Sequence, residues 1–173
     1  MTAPVAGNLL LIEFTRWAII LLFSLTLATA AISDALRRLI PNWTVVAIAV
    51  LFVGWAFVEP LVSIRGSLAA ALIVFIASCA LYLFGMVGAG DSKFITVVSL
   101  FVGLTWLPQF ALATVLVGGA LAVISLVTRP TRALVMLQMR GKGSFGRGIP
   151  YGVAIALAGF GTVVASLTLK SSH

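Results

Sequence analysis

Long apolar runs dominate this 173-residue chain and constrain its fold more than any other feature. Hydrophobic residues make up 62% of the chain and charged residues only 9%, whereas a soluble domain has roughly a quarter of its residues charged. A lipid bilayer offers no hydrogen bonds to the backbone, so each apolar run of about 20 residues is expected to cross it as an α-helix. The composition therefore predicts an all-α, polytopic membrane protein.

The apolar runs predict six transmembrane helices packed in one bundle. Their expected bounds are Trp17–Leu36, Trp43–Val58, Ser67–Val87, Phe94–Trp106, Phe110–Val127 and Ile149–Leu169. The fourth run is short, and Pro108 is expected to end it or to begin the next, which allows a tilted or re-entrant piece. Residues 1–173 are assigned to a single integral-membrane domain with no separate soluble domain.

The basic residues predict the orientation of the bundle. If the loop after the first span is cytoplasmic, eight of the eleven Lys and Arg residues fall on the cytoplasmic side. Cytoplasmic loops are enriched in these residues, so both termini are expected outside, N-out and C-out. The formal net charge of +7 is explained by this topology, and no nucleic-acid partner is expected.

The longest predicted loop, residues 129–148, is expected on the cytoplasmic side. Its first half, TRPTRALVMLQMR, mixes apolar and basic residues, which is typical of a segment lying on anionic lipid headgroups. Its second half, GKGSFGRG, contains a G-x-G-x-x-G pattern. No strand precedes that pattern, so a nucleotide-binding loop is not expected. Membrane lipid is the partner that this loop predicts.

The four acidic residues divide into two pairs. Glu13 and Glu59 fall near the outer ends of spans, where solvated interfacial charges are expected. Asp34 lies near the cytoplasmic end of the first span, and Asp91 follows the cytoplasmic end of the third. Two crossings separate the aspartates, so both are expected at the same membrane face, and ionisable groups at such depth commonly mark a functional site.

Each residue around the aspartates also has a purely structural interpretation. Asp34 is spaced to pair with Arg37 or Arg38 on one helix face, and Asp91 is placed to cap the N-terminus of the fourth span. Gly88 and Gly90 are suited either to a helix C-cap and turn or to clearance for an approaching peptide backbone.

Two neighbouring carboxyl groups suit hydrolysis of a peptide bond. They cannot both ionise comfortably and therefore share a proton. The carboxylate takes a proton from the attacking water, while the neutral acid donates one to the carbonyl oxygen and later to the leaving amine. This chemistry needs no cofactor and no metal. Neither the single cysteine, Cys79, nor the terminal His173 offers a metal cluster.

Three ordered motifs resemble those of the type IV prepilin peptidases, which are membrane-embedded aspartic proteases. The motifs are GAGDSK (88–93), DALRRLIPN (34–42) and IPYGVAIALAG (149–159). The chain length and the residues of the last two motifs are most similar to those of the short tight-adherence (Flp pilus) branch. The larger members of the family carry a cytoplasmic insert with paired Cys-x-x-Cys motifs and also methylate the new N-terminus.

The resemblance implies a function and a location. Asp34 and Asp91 are the expected catalytic pair, and the expected substrate is a prepilin whose leader is cut at the cytoplasmic face. The bacterial cytoplasmic (inner) membrane is the expected location. Because this chain has one cysteine and no such insert, N-methyltransferase activity is expected to be absent.

Six further residues are predicted to bind substrate or to shape the site. Gly88 and Gly90 are joined by Lys93, Asn42, Pro150 and Gly152. Lys93 is equally suited to anchoring the membrane topology, and Asn42 to capping the second span after Pro41. Gly152 also fits close packing between helices.

Two other classes of function are compatible with paired aspartates in a membrane. A small proton-coupled transporter uses such groups as a proton relay, and an assembly subunit of a pilus or secretion system needs no catalysis. The absence of other acids in mid-membrane disfavours the transporter, and the three motifs disfavour the assembly subunit. The oligomeric state is not predicted.

Overall fold

The computed structural model describes residues 3–128 and 151–171, and all regular secondary structure in these ranges is helical. The helices are α1 (Ala3–Arg37), α2 (Asn42–Ala56), α3 (Leu61–Leu83), α4 (Ala89–Thr128) and α5 (Tyr151–Ser171). The expectation of an all-α protein is confirmed for the described residues. The predicted loop at 129–148, the start of the sixth predicted span and Pro150 lie outside them.

The helix α4 is broken at Gly103, where the backbone has φ 72° and ψ 170°. A first arm (residues 89–102) and a second arm (residues 104–128) therefore run in different directions. A Cβ atom built on Gly159 would lie 2.5 Å from Val98 of the first arm and 3.6 Å from Phe110 of the second. Along a straight helix, Val98 and Phe110 would be about 18 Å apart. The chain must double back at Gly103, and Pro108 lies within the second arm.

Among the described residues, four helices are long and apolar enough to cross a membrane. The candidate segments are Leu10–Arg37, Leu61–Leu83, Ala89–Ser125 and Tyr151–Leu169, while Asn42–Ala56 is a shorter apolar helix. At 1.5 Å per residue, α2 and the first arm of α4 are each only about 21–23 Å long, against a hydrocarbon thickness of about 30 Å. Six complete spans therefore stay a prediction.

The helices connect two opposite ends of the bundle. The aspartate end holds Asp34, Asp91 and the N-terminal turn of α5 at Gly152. The ion-pair end holds Arg16 of α1 and Glu59 of the α2–α3 connection, whose side chains are in contact. Because Leu169 lines the same cavity as Glu59, α5 runs from the aspartate end to the ion-pair end.

The ion pair corrects one expectation from the sequence. The Arg16 guanidinium contacts Glu13 at 3.1 Å and Glu59 at 2.6 Å. The Glu13 side chain is 56% exposed, as expected for an interfacial charge, but the Glu59 side chain is only 4% exposed. The prediction of a solvated Glu59 is wrong, because the turn between α2 and α3 folds this carboxylate inwards against α1.

An aromatic cluster joins α1 and α2 to the first arm of α4. Phe101 stacks on Phe23 of α1, with ring centroids 4.3 Å apart. The ring also meets Phe52 at 5.7 Å and Trp55 at 5.9 Å, both on α2. Apolar surface gains little from leaving lipid, so these contacts stabilise the bundle mainly through close van der Waals packing.

The helix α5 packs closely against α4 at Gly159, where the absence of a side chain lets the Val98 methyl approach the backbone. Replacing Gly159 by Ala is expected to lower the free energy of unfolding by about 1–3 kcal/mol, because the added methyl overlaps Val98. Thermal unfolding of the purified protein in detergent measures the change. A midpoint equal to that of the wild type would contradict this packing.

The variant pair Gly159→Ala and Val98→Ala separates a clash from a general effect of mutation. If the two residues are in contact, the double variant unfolds at a higher temperature than Gly159→Ala alone. Gly161→Ala is the matched control on the same helix, because no described residue of another helix lies within 4 Å of its added methyl.

Candidate active site

The first candidate aspartate, Asp34, is buried in the last turn of α1, with an exposed fraction of 6%. The helix ends at Arg37, and Arg38 has a φ of 57°, a left-handed conformation that side-chain-bearing residues rarely adopt. The Arg38 backbone N–H donates to the Asp34 carbonyl at 2.9 Å. The chain therefore turns away directly after the turn that carries Asp34.

The arginines after Asp34 were candidate ion-pair partners. The Arg38 guanidinium acts electrostatically on the Asp34 carboxyl group, whereas Arg37 is exposed. The positive charge that acts on the Asp34 carboxyl group is therefore that of Arg38, the residue in the left-handed conformation.

The N-terminus of α5 packs against the Asp34 carboxyl group. The backbone N–H groups of Gly152 and Val153 face this carboxyl group. A Cβ atom on Gly152 would lie 2.9 Å from Asp34 Oδ2 and 2.9 Å from Ile40 Cδ1. Only glycine leaves room for both neighbours at this position, which places Gly152 in the wall of the site, as the sequence predicts.

One oxygen of Asp34 lacks a partner. Although two amide groups face the carboxyl group, the Oδ2 atom is buried and forms no hydrogen bond with any residue in the described ranges. A buried polar atom without a partner is costly, so this oxygen is free to accept a hydrogen bond from a group outside the described residues.

The segment GMVGAGDSKF (residues 85–94) contains the turn that terminates α3 and the first turn of α4. The Gly85 N–H donates to Tyr82 and the Met86 N–H to Leu81, each at 2.9 Å, and Gly85 has a φ of 69°. These two bonds form a Schellman motif. The glycine that ends α3 is thus Gly85, and the alternative that Gly88 or Gly90 serves as its C-cap is wrong.

The second candidate aspartate, Asp91, lies in the first turn of α4 and folds back over its start. The Gly88 carbonyl accepts from the Ser92 N–H at 3.0 Å, which makes Gly88 the N-cap residue and Asp91 the third helical residue. The Gly88 N–H in turn donates to the Asp91 carboxyl group, as in half of a capping box. Asp91 therefore does help to cap α4, but from the third position.

The serine beside Asp91 connects this turn to α3. Ser92 is buried, and its hydroxyl donates to the Gly88 carbonyl at 3.1 Å and, at a longer 3.4 Å, to the Ser78 carbonyl. The position of Asp91 is thus held by contacts on the neighbouring helix as well as by its own turn.

Ile40 links the surroundings of the two aspartates. Its Cδ1 atom lies against Gly152, beside Asp34, and its Cβ atom lies 4.0 Å from the Cβ position of Gly90, beside Asp91. The charge of Asp34 also acts on Asp91. The structure therefore brings both aspartates to one end of the bundle, around one isoleucine. Their catalytic role stays a prediction.

The remaining predicted site residues are Lys93, Asn42 and Pro150, and the structure gives less support for their place in the site around Ile40. Lys93 is exposed and forms no ion pair with a residue of the described ranges. Asn42 is exposed as the first residue of α2, and the N-cap position belongs to Pro41, so the capping alternative for Asn42 is wrong. Pro150 lies outside the described residues.

Three contributors to the site were missed from the sequence. Ile40 was visible as an apolar residue inside the polar connection LRRLIPN, which is a usable signal. The Val153 amide and the Ser78 carbonyl are backbone groups, and no side-chain pattern identifies them. They take part because of how α3 and α5 pack.

The arrangement can perform general acid–base chemistry. Two carboxyl groups within electrostatic range of each other hold one proton between them more easily than none. Such a pair presents a base and an acid at once. Burial of Asp34 excludes water and so strengthens the electrostatic interactions of both carboxyl groups.

Comparison with known proteins assigns the chain to a family. The family model described as the type IV leader peptidase family matches residues 21–123, more than half of the chain. The matched range includes Asp34 and Asp91 but ends before α5. No curated protein and no solved structure matches the chain. The match over residues 21–123 shows that this chain belongs to the type IV leader peptidase family.

Proposed function

We propose that this peptidase removes the leader from Flp-like type IV prepilins at the cytoplasmic face of the bacterial inner membrane. Asp34 and Asp91 are the proposed catalytic pair, and water is the nucleophile. The observation that supports this best is the convergence of both aspartates around Ile40, with a buried Asp34 oxygen that has no hydrogen-bond partner among the described residues. Family membership supports the class of reaction.

The proposed reaction proceeds through a tetrahedral intermediate. One carboxylate removes a proton from water as the water oxygen bonds to the carbonyl carbon of the scissile peptide. The neutral carboxylic acid gives its proton to the carbonyl oxygen. When the intermediate collapses, the C–N bond breaks and the leaving nitrogen takes a proton from the first carboxyl group. The second carboxylate takes back a proton from a hydroxyl of the intermediate as the carbonyl re-forms, which restores the shared proton of the pair.

The substrate is proposed to approach along the glycines before Asp91. Gly90 is exposed and Gly88 partly so, and neither carries a side chain that would keep an extended peptide backbone away from the carboxyl group. Lys93, Asn42 and Pro150 are proposed to contact the substrate or to shape the entrance.

Replacing either aspartate is expected to abolish processing. Asp34→Asn and Asp91→Asn remove the shared proton system, and the rate is expected to fall by about a hundredfold or more, the usual contribution of general acid–base catalysis. Co-expression with a candidate Flp-like prepilin, followed by intact-mass measurement, should show the precursor at full mass. Glu13→Gln, which also converts a carboxyl group to an amide but at an exposed residue of α1, is the control and should process normally.

Leader removal by either asparagine variant at the wild-type rate would overturn the catalytic pair. Transport that depends on a proton gradient, without any cleavage, would favour the transporter instead.

The same mass spectra test methylation, since the mature pilin is expected to carry an unmodified N-terminus. A mature product one methyl group heavier would refute the proposed lack of methyltransferase activity.

The glycine beside Asp34 provides a more selective test. Gly152→Ala is expected to lower kcat by about tenfold to a hundredfold, because the added methyl displaces the Asp34 carboxyl group or Ile40, and small misplacements of catalytic groups are costly. Cleavage kinetics with purified enzyme measure the effect. Gly161→Ala, on the same helix with open space around its methyl, is the control, and equal kcat for both variants would argue against the geometry.

The two glycines before Asp91 separate positioning from clearance in the same assay. A methyl on Gly88 would lie 3.1 Å from Asp91 Oδ2, whereas a methyl on Gly90 has no atom nearer than Ile40 Cβ at 4.0 Å. Gly88→Ala is therefore expected to lower kcat, and Gly90→Ala to raise KM with little change in kcat. The reverse pattern would contradict the proposed direction of approach.

The orientation is proposed from the distribution of basic residues. Arg37, Arg38 and Lys93 lie at the aspartate end, and Arg16, Arg65 and Lys170 lie towards the other end. The other five basic residues fall in the sequence between α4 and α5, and α5 begins at the aspartate end. With the aspartate end cytoplasmic, α5 finishes at the outer surface. Alkaline phosphatase, which is active only outside the cytoplasm, is expected to be active when fused after His173. An inactive phosphatase, with a fluorescent cytoplasmic reporter at the same site, would reverse the assignment.

A further inference from the structure

The two aspartates of the proposed catalytic pair have unequal surroundings. Asp34 is buried, with an exposed fraction of 6%, whereas Asp91 is partly exposed. Each lies at the N-terminus of a helix, Asp34 against the start of α5 and Asp91 within the first turn of α4. The positive end of a helix dipole therefore acts on both carboxyl groups, and the difference between them comes from other groups.

More backbone donors face Asp34 than face Asp91. The N–H groups of Gly152 and Val153 face the Asp34 carboxyl group, and the Cγ atom of that group lies 3.0 Å from the Cβ position of Gly152. Both amides belong to the first turn of α5, where N–H groups have no acceptor inside the helix. Asp91 receives one backbone N–H, that of Gly88. Amide donors stabilise a carboxylate relative to the neutral acid.

Arg38 supplies a positive charge to Asp34. It follows Asp34 by four residues, its own N–H donates to the Asp34 carbonyl at 2.9 Å, and its guanidinium acts on the carboxyl group. The Ser33 hydroxyl donates to the Leu39 carbonyl at 2.9 Å, which holds the same turn against α1. Arg38 keeps its left-handed backbone although a glycine would adopt it at lower cost.

Few other charged groups of the described residues lie near the aspartates. The helix α2 contains no charged residue, and α3 and α5 contain one each, towards the ion-pair end, which are Arg65 and Lys170. Lys93 is exposed and forms no ion pair with a described residue, and Arg37 is exposed at the end of α1. Within the described part of the chain, Arg38 is therefore the cation that distinguishes Asp34 from Asp91.

Burial and the nearby cation have opposite effects on Asp34. Burial alone favours the neutral acid, because it removes a charged group from water. A buried charge persists where a counter-ion and hydrogen-bond donors compensate for the lost water, and Asp34 has both. Its Oδ2 atom, which has no hydrogen-bond partner among the described residues, offers a lone pair to the O–H group of a water, as a general base must.

We propose that Asp34 is the base of the pair and Asp91 the acid, with Arg38 as the positioning residue that holds the negative charge on Asp34. This assignment rests on the proposed peptidase function. The Asp34 carboxylate takes a proton from water as the water oxygen bonds to the carbonyl carbon, and Asp91 gives its proton to the carbonyl oxygen. During collapse, Asp34 gives its new proton to the leaving nitrogen, and Asp91 regains one from a hydroxyl of the intermediate.

Carbon-13 NMR of the purified full-length protein tests which carboxyl group holds the proton, because the chain contains only two aspartates. Aspartate labelled at its backbone nitrogen and its side-chain carboxyl carbon gives two carboxyl signals, and the chemical shift of each differs between acid and carboxylate. Labelling the glycine carbonyl carbon as well identifies the Asp91 signal, because Asp91 follows Gly90 whereas Asp34 follows Ser33. As the pH is lowered, Asp91 is expected to take the first proton.

Variants of Arg38 test the cause of this order. Arg38→Gln is expected to reverse it, so that Asp34 takes the first proton, and Arg38→Lys to restore it. Arg38→Gly removes the charge but suits the left-handed backbone, so the same reversal in this variant would exclude a distorted turn as the cause. Arg37→Gln, the same change at the exposed neighbour, is the control and should keep the wild-type order.

The cleavage assay gives an independent measurement. Arg38→Gln is expected to lower kcat by about tenfold, a fraction of the usual contribution of general acid–base catalysis, and Arg38→Lys to recover most of the loss. First protonation of Asp34 in the wild type, simultaneous protonation of both groups, or an unchanged order in Arg38→Gln would overturn the assignment. If the wild type cleaves no prepilin while Asp91 still takes the first proton, the proposed peptidase function fails and the location of the charge stands.

Discussion

Two glycines on one face of α5 set the distances at which the rest of the bundle packs. Gly152 and Gly159 are seven residues apart, two turns along the same face. The first meets the Asp34 carboxyl group and Ile40, and the second meets Val98. Helices in lipid are held by close packing and not by release of water, so these two contacts decide where α1 and the first arm of α4 can lie. The separation of the aspartates depends on both.

The order of the helices and the end at which the aspartates meet could be predicted from the sequence, because each depends only on counting apolar runs. An interruption of α4 was also predicted, but its position was wrong. Pro108 is the stronger helix breaker by propensity, yet the chain reverses at Gly103, where a positive φ is required and the packing of Val98 and Phe110 on α5 demands a turn. A lone glycine in an apolar run gives no sign of that demand.

The surroundings of the acidic residues could likewise be predicted only in part from the sequence. Position along the chain places Asp34 and Asp91 correctly at one end, but it assigns Glu59 to water, where the structure buries it against Arg16. Burial of a charge depends on a partner 43 residues away, and local sequence carries no record of that partner. Likewise, Asp91 was expected to be the cap itself, whereas it reaches back from the third helical position to the Gly88 amide.

The short helix α2 has a consequence for the surrounding bilayer. Val46, Val50 and Val53 are exposed along it, so lipid contacts a hydrophobic surface only about 22 Å long. Lipids beside a surface shorter than their own hydrocarbon thickness must compress or tilt their chains, at a modest cost for each ångström of mismatch. A bilayer that surrounds α2 is expected to be thinned beside it, and α2 begins at Asn42, next to the aspartate end. Such thinning would bring polar headgroups and water closer to the carboxyl groups from the side of the bundle.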